Sequence, residues 1–233
     1  MADSIPATNA ADPLKRLRTA AVLSLPLILA AIFLFAHPFK QELVSRVFSL
    51  VELNSKQQCN IAVAAHALNG YVIEADDTFS FNKVVGPRTD ARGYRSAPSY
   101  VGPNSPATFG GGICLLSSAL YQAALIAGLD VQERSPHMRT IASVEPGLDA
   151  TVWYGQSDLK IVNNKKNALQ IKSEVKDHKL YVQLFSANKD RQALANLKTV
   201  VCRQSRSELL VEVFSESEGK RRFISRDHYQ LAR

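Results

Sequence analysis

The chain has 233 residues, 46% hydrophobic and 21% charged, a globular balance that supports one domain with a real core and leaves two crowded. Its 28 Lys and Arg against 21 Asp and Glu give +7, which favours anionic surfaces such as phospholipid headgroups or acidic wall polymers. The same charge argues against nucleic acid, because the basic residues are scattered and set beside acids, as in Lys220-Arg221-Arg222 after Glu216 and Glu218, with no aromatic-lined stripe.

Residues 1–18 begin small and polar with two prolines and read as a disordered tail. Residues 19–36 carry no charge, and as a helix would be roughly 27 Å long, close to the hydrocarbon thickness of a bilayer. Lys15, Arg16 and Arg18 precede them, so the positive-inside rule predicts a single-pass anchor in the cytoplasmic membrane with the rest of the chain outside. A cleaved signal peptide fits less well: the apolar run is long, and 34–36 lacks the small residue expected two places before Ala36. Residues 37–55 are expected to hold a juxtamembrane helix, since Leu43, Val44, Val47, Phe48, Leu50 and Val51 recur at helical spacing.

A second helix is expected from about 56 to 68, stopped by Asn69-Gly70. Residues 71–73 and 78–81 read as short strands around an acidic turn, which lacks the alternating ligands of a calcium loop. Residues 86–107 form a long irregular passage and a candidate cleft wall. Three glycines, Gly110, Gly111 and Gly112, then feed a central helix that begins at Cys114 and ends before Gly128. Strands are expected at 131–134, 140–144, 150–154, 159–162, 169–175 and 179–185, and a final hairpin from 207–214 and 222–230 around Glu218-Gly219. The fold class is therefore α+β, one domain over residues 56–187 with a mainly antiparallel sheet, followed by a C-terminal hairpin extension at 188–233.

Of three cysteines in an oxidising compartment at least one stays unpaired; the economical arrangement joins Cys59 to Cys202 and leaves Cys114 as a thiol. A cysteine at a helix start meets free amides and the positive end of the helix dipole, both favouring the thiolate. His137 and Asp149 follow, so Cys114 as nucleophile, His137 as base and Asp149 as orienter form a candidate cysteine-hydrolase constellation. Each has an ordinary alternative: a buried small residue, a packed histidine, a turn aspartate after Pro146-Gly147. The glycine run lacks the lysine of a phosphate loop, and Cys114 with His137 alone is too few donors for zinc, so neither cofactor nor metal is implied.

Taken together, several ordered runs resemble the VanW family, named after an accessory protein of vancomycin-resistance clusters. They are Asn69-Gly70-Tyr71-Val72-Ile73, Phe79-Ser80-Phe81-Asn82, Val85-Gly86-Pro87-Arg88-Thr89, Gly110-Gly111-Gly112-Ile113-Cys114 with Ser117-Ser118-Ala119-Leu120-Tyr121, Glu133-Arg134, His137, Gly147-Leu148-Asp149-Ala150-Thr151-Val152, Tyr154-Gly155 and Asp158-Leu159-Lys160. The chain departs at Leu115, where the family usually has Gln, and at Met138, where it often has Ser. The resemblance implies a cell-envelope domain without an agreed reaction. Two function classes fit: a membrane-anchored protein acting on or binding peptidoglycan or its precursors by Cys-His-Asp acyl transfer or amide hydrolysis, and a non-catalytic wall-binding or scaffolding module. Gly110, Gly111, Gly112, Ser117 and Arg88 are the candidate ligand contacts.

Overall fold

The computed structural model describes residues 39–99, 107–187 and 194–231. The expected tail and anchor, residues 1–36, lie outside the described residues; among those described, no helix is long and apolar enough to cross a membrane.

The first element is a strand, β1 (Gln41–Ser49), where a helix was expected. It pairs antiparallel with β9 (Lys179–Ser186), from Gln41 opposite Ser186 to Ser49 opposite Lys179. A bulge between Glu42 and Val44 offsets the alternation, so Leu43 and Val44 both meet the core and imitate helical spacing. The β-branched Val44 and Val47 and the aromatic Phe48 suit a half-buried strand once a partner is available.

Helix α1 (Ser55–Leu68) follows, opened by a capping box in which Asn54 accepts from the Gln57 amide and the Gln57 side chain accepts from the Asn54 amide. Strand β2 (Val72–Ile73) pairs with β8 (Leu169–Lys176), completing a four-stranded sheet in the order β1-β9-β8-β2. Helix α1 packs on β8. Strand β3 (Thr78–Ser80) ends one residue early, because Ser80 caps the short helix α2 (Phe81–Val85) by accepting from the Lys83 amide.

Strands β4 (Ser96–Pro98) and β5 (Ala107–Phe109) form a small hairpin leading to the glycine run. Helix α3 (Cys114–Ile126) then crosses the interior with Leu115 through Leu125 buried, packing against β1, β9, α1 and the strand that follows it, β6 (Asp130–Glu133). A helix apolar all round needs cover on every side, and these elements supply it. Strand β6 (Asp130–Glu133), β7 (Lys160–Val162) and β3 make a three-stranded sheet in the order β3-β7-β6.

The strands expected at 140–144 and 150–154 do not form; residues 134–157 contribute only isolated bridges, Ser135 to Thr151, Trp153 to Ser157 and Arg139 to Gln230. Their backbone is held by buried side chains instead of a ladder. After β9 the chain forms a third sheet, β10-β11-β12 (Asn196–Gln204, Glu208–Ser217, Lys220–Gln230), one strand more than the expected hairpin. The β11–β12 turn falls at Glu218-Gly219 as expected, with both residues at positive φ. All strand pairs are antiparallel, so the described residues form mostly antiparallel sheet with three α-helices.

The expected Cys59–Cys202 disulfide is absent: both are free thiols, as is Cys114. Cys59 belongs to α1, on the four-stranded sheet, whereas Cys202 is exposed on β10, the outer strand of the third sheet.

Candidate functional site

The glycine run is shaped by what lies against it. At Gly111 a Cβ would sit 2.2 Å from the Ala97 carbonyl oxygen of β4, so only glycine lets the two backbones approach. The fully buried Asn60 of α1 fixes this approach, donating to the carbonyls of Gly111 (3.0 Å) and Arg95 (2.9 Å) while accepting from the Arg95 amide (2.7 Å). At Gly110, with φ +84°, a Cβ would collide with the Arg88 stem at 2.6 Å. Local sequence thus delivers Cys114 at the first position of α3, after Ile113, which supplies no side-chain cap. In the first turn the amides of Leu115, Leu116 and Ser117 donate to the carbonyls of Gly112 and Ile113, so the helix start is closed by its own backbone.

Cys114 is partly buried, and its Sγ lies 3.7 Å from the Val152 carbonyl. His137, 3% exposed, interacts with Cys114 on one side and Asp149 on the other. Its Nδ1 is 2.6 Å from Asp149 Oδ2, the same oxygen that accepts its backbone N–H at 2.7 Å. The ring and its own backbone are therefore clamped by one carboxylate oxygen, leaving Nε2 for the sulfur. Burial would lower the imidazole pKa, but the hydrogen bonds to Asp149 and Cys114 outweigh it and push it up to about 9.

Asp149 is more heavily held than the sequence suggested. Its other oxygen, Oδ1, accepts from Tyr229 Oη at 2.5 Å and Arg134 Nη2 at 3.0 Å. Burial opposes its charge, yet His137, Arg134 and Tyr229 together keep its carboxyl below the ordinary range. Arg134 also donates through Nε to the Asp149 carbonyl (2.6 Å) and through Nη1 to Asp227 Oδ1 (2.6 Å). Burial works against its charge, but Tyr121, Asp227 and Asp149 more than compensate, and its pKa is raised. Tyr229 completes the set by accepting the Gly147 amide at 2.6 Å.

Tyr229 and Asp227 come from β12, outside the runs that carried the resemblance. Their signal was an acid sharing the inward face of a strand with a tyrosine: Asp227 and Tyr229 are buried and His228 between them is exposed.

Cys114 and His137 open on a groove of about 420 Å³ whose walls include Arg88, Gly110, Gly111, Gly112, Thr151 and the 152–154 turn. That turn is held from beneath: Asn82 donates to the carbonyls of Ser157 (2.8 Å) and Trp153 (3.3 Å). Trp153, Tyr154 and Phe109 are about half exposed along the mouth. Six of the expected site residues, Cys114, His137, Arg88, Gly110, Gly111 and Gly112, thus share this groove, and Asp149 stands behind His137. Ser117 does not reach it; it is fully buried, and its hydroxyl meets the carbonyls of Ala150 (2.6 Å) and Cys114 (3.1 Å).

The family described as VanW like protein matches residues 56–185. The chain is 36% identical over 155 residues to the uncharacterized protein YoaR of Bacillus subtilis (strain 168), covering 66% of this chain and 51% of that protein. It is 33% identical over 141 residues to the vancomycin B-type resistance protein VanW of Enterococcus faecalis (strain ATCC 700802 / V583), covering 58% and 50% respectively. The chain therefore spans about half the length of the curated relatives it matches. No solved structure gives a significant match.

Proposed function

Because the chain belongs to the VanW family, we propose that it is an envelope protein, anchored in the cytoplasmic membrane by residues 19–36, that uses Cys114 for acyl transfer or amide hydrolysis on peptidoglycan or its precursors. The observation that carries this reading is His137, buried between the Cys114 side chain and Asp149 on the wall of an open groove.

In this reaction His137 Nε2 takes the Cys114 proton, and the thiolate forms an S–C bond to the substrate carbonyl. The oxyanion forms beside the Cys114 amide at the positive end of α3; the Leu115 side chain is 4% exposed in the core and contributes no polar donor. The imidazolium returns its proton to the departing amine as the C–N bond breaks, leaving a thioester. Water or an acceptor amine then releases the acyl group. Asp149 keeps Nδ1 protonated and the ring aligned throughout. A net charge of +7 favours approach to an acidic wall polymer.

The test is iodoacetamide labelling of Cys114, followed by peptide mass spectrometry across pH. At neutral pH Cys114 should label faster than Cys202, and its labelling should slow several-fold in His137→Ala, which removes the base beside the sulfur. Repeating the labelling on intact cells with a membrane-impermeant maleimide should modify the exposed Cys202, which reports an extracytoplasmic domain. A Cys114 labelling rate no faster than that of Cys202 and unaffected by His137→Ala would leave the non-catalytic wall-binding module, and Cys202 protected until lysis would overturn the compartment.

A further inference from the structure

Arg88 stands apart from the reaction just described. Its Nη1 donates to the Gly86 carbonyl at 2.8 Å, but Nε and Nη2 are buried with no hydrogen-bond partner. Among the described residues no carboxylate lies within ion-pair distance of it. The nearest candidate, Asp158, has its oxygens engaged by Ser80 Oγ (2.5 Å) and the amides of Asn82 and Leu159 (both 2.8 Å). The guanidinium sits instead between two rings, 5.6 Å from the centroid of Phe81 and 5.8 Å from that of Tyr154. Ring faces attract a cation but accept no directed N–H bond of ordinary strength. An arginine buried this way, with two idle donors, carries a desolvation cost that its neighbours do not offset. Thr151 Oγ1, on the same groove, is likewise buried without a partner.

We propose that Arg88 receives a carboxylate of the ligand in this groove, so that the site selects peptide or acyl substrates bearing a free carboxylate near the reacting carbonyl. The proposal rests on the reading of the groove as the substrate site, but not on Cys114 being catalytic. Nε and Nη2 are adjacent parallel donors, the spacing of the two oxygens of a planar carboxylate. Phe81 is fully buried and fixes one face; Tyr154, 51% exposed at the mouth, is the cover that turns aside on entry. Thr151 Oγ1 supplies a further hydrogen bond to the entering group. The Gly110 position, where a Cβ would strike the Arg88 stem, keeps the guanidinium at this depth.

The sole tryptophan, Trp153, lines the groove and supplies the readout. Fluorescence titration of the full chain with N-acetyl-glycylglycine and with its C-terminal amide should show the carboxylate binding at least tenfold more tightly. That preference should disappear in Arg88→Gln, weaken in Arg88→Lys, which keeps the charge but not the fork, and survive inorganic phosphate at matched ionic strength. Equal affinity for the two peptides, no response to either at millimolar concentration, or displacement by phosphate would each overturn it. Because the comparison is made first in the unaltered protein, misfolding of a variant does not remove the test. The Cys114 labelling profile is read separately: an ordinary thiol profile beside an intact carboxylate preference sinks the catalytic reading and leaves this one standing.

Discussion

Replacing Tyr229 by Phe removes one oxygen and two hydrogen bonds from behind the His137–Asp149 pair. The hydroxyl donates to Asp149 Oδ1 and accepts from the Gly147 amide, and the tyrosine is only 1% exposed, so water does not substitute. A hydrogen bond to a buried carboxylate contributes about 1.5–3 kcal/mol, and the orphaned Gly147 N–H costs about 1–3 kcal/mol more. Together these predict a loss of about 3–5 kcal/mol, and for a domain of this size a fall in Tm of about 10 °C. Thermal denaturation followed by circular dichroism at neutral pH measures it. The loss should also depend on acid in a defined direction. Asp149 has a folded pKa below its ordinary 3.8, so its contribution is present above that value and lost as pH falls through the folded pKa. Losing the Tyr229 donor raises the folded pKa, so the deficit of the variant should narrow below about pH 4. A Tm within about 2 °C of the parent, or a deficit independent of pH, would refute the buttress.

Two further outcomes follow from the same geometry. His137 has an ordinary pKa of 6.5 and a folded value of about 9, so its contribution is complete below pH 6.5 and disappears as pH rises to 9, about 3 kcal/mol in all. Denaturant titrations should show that decline in the parent and not in His137→Gln; parallel curves would contradict it. Gly111→Ala should cost about 3 kcal/mol or more through collision with the Ala97 and Pro98 carbonyls. Gly155→Ala, with φ +81° but open space, should cost about 1–2 kcal/mol, and the reverse order in urea melts would show that conformation rather than close approach governs the run.

Features fixed by local chemistry were readable from sequence. The stop at Asn69-Gly70, the helix start at Cys114 and the turn at Glu218-Gly219 each depend on neighbours within a few positions, whereas the capping box at Asn54 and Gln57, equally local, was passed over. The alternation of β8 and β9 was equally plain. What escaped depends on distant partners. β1 reads as a helix because its bulge doubles two apolar side chains, and only β9, more than 130 residues away, makes it a strand. Residues 140–154 have strand-like composition, yet Arg134, Asp149 and Tyr229 hold that backbone with side chains, which periodicity does not register. In the site, Cys114, His137 and Asp149 were visible by residue type and order, whereas Tyr229 and Asp227 required knowing that the third sheet packs behind them.

That third sheet makes orientation of the acid–base pair conditional on a distant part of the chain. Tyr229 lies 80 positions beyond the aspartate it holds, and Asp227 lies 93 beyond Arg134. In a chain made from its N-terminus, Cys114 and His137 exist well before their support does. Asp149 can meet the imidazole early, but its second oxygen and the charge of Arg134 stay unbalanced until β12 closes against residues 138–149. Asp149 thus meets the histidine through one oxygen from nearby sequence and is braced at the other only by the far end of the described chain, so local order sets the pair and the third sheet makes it rigid.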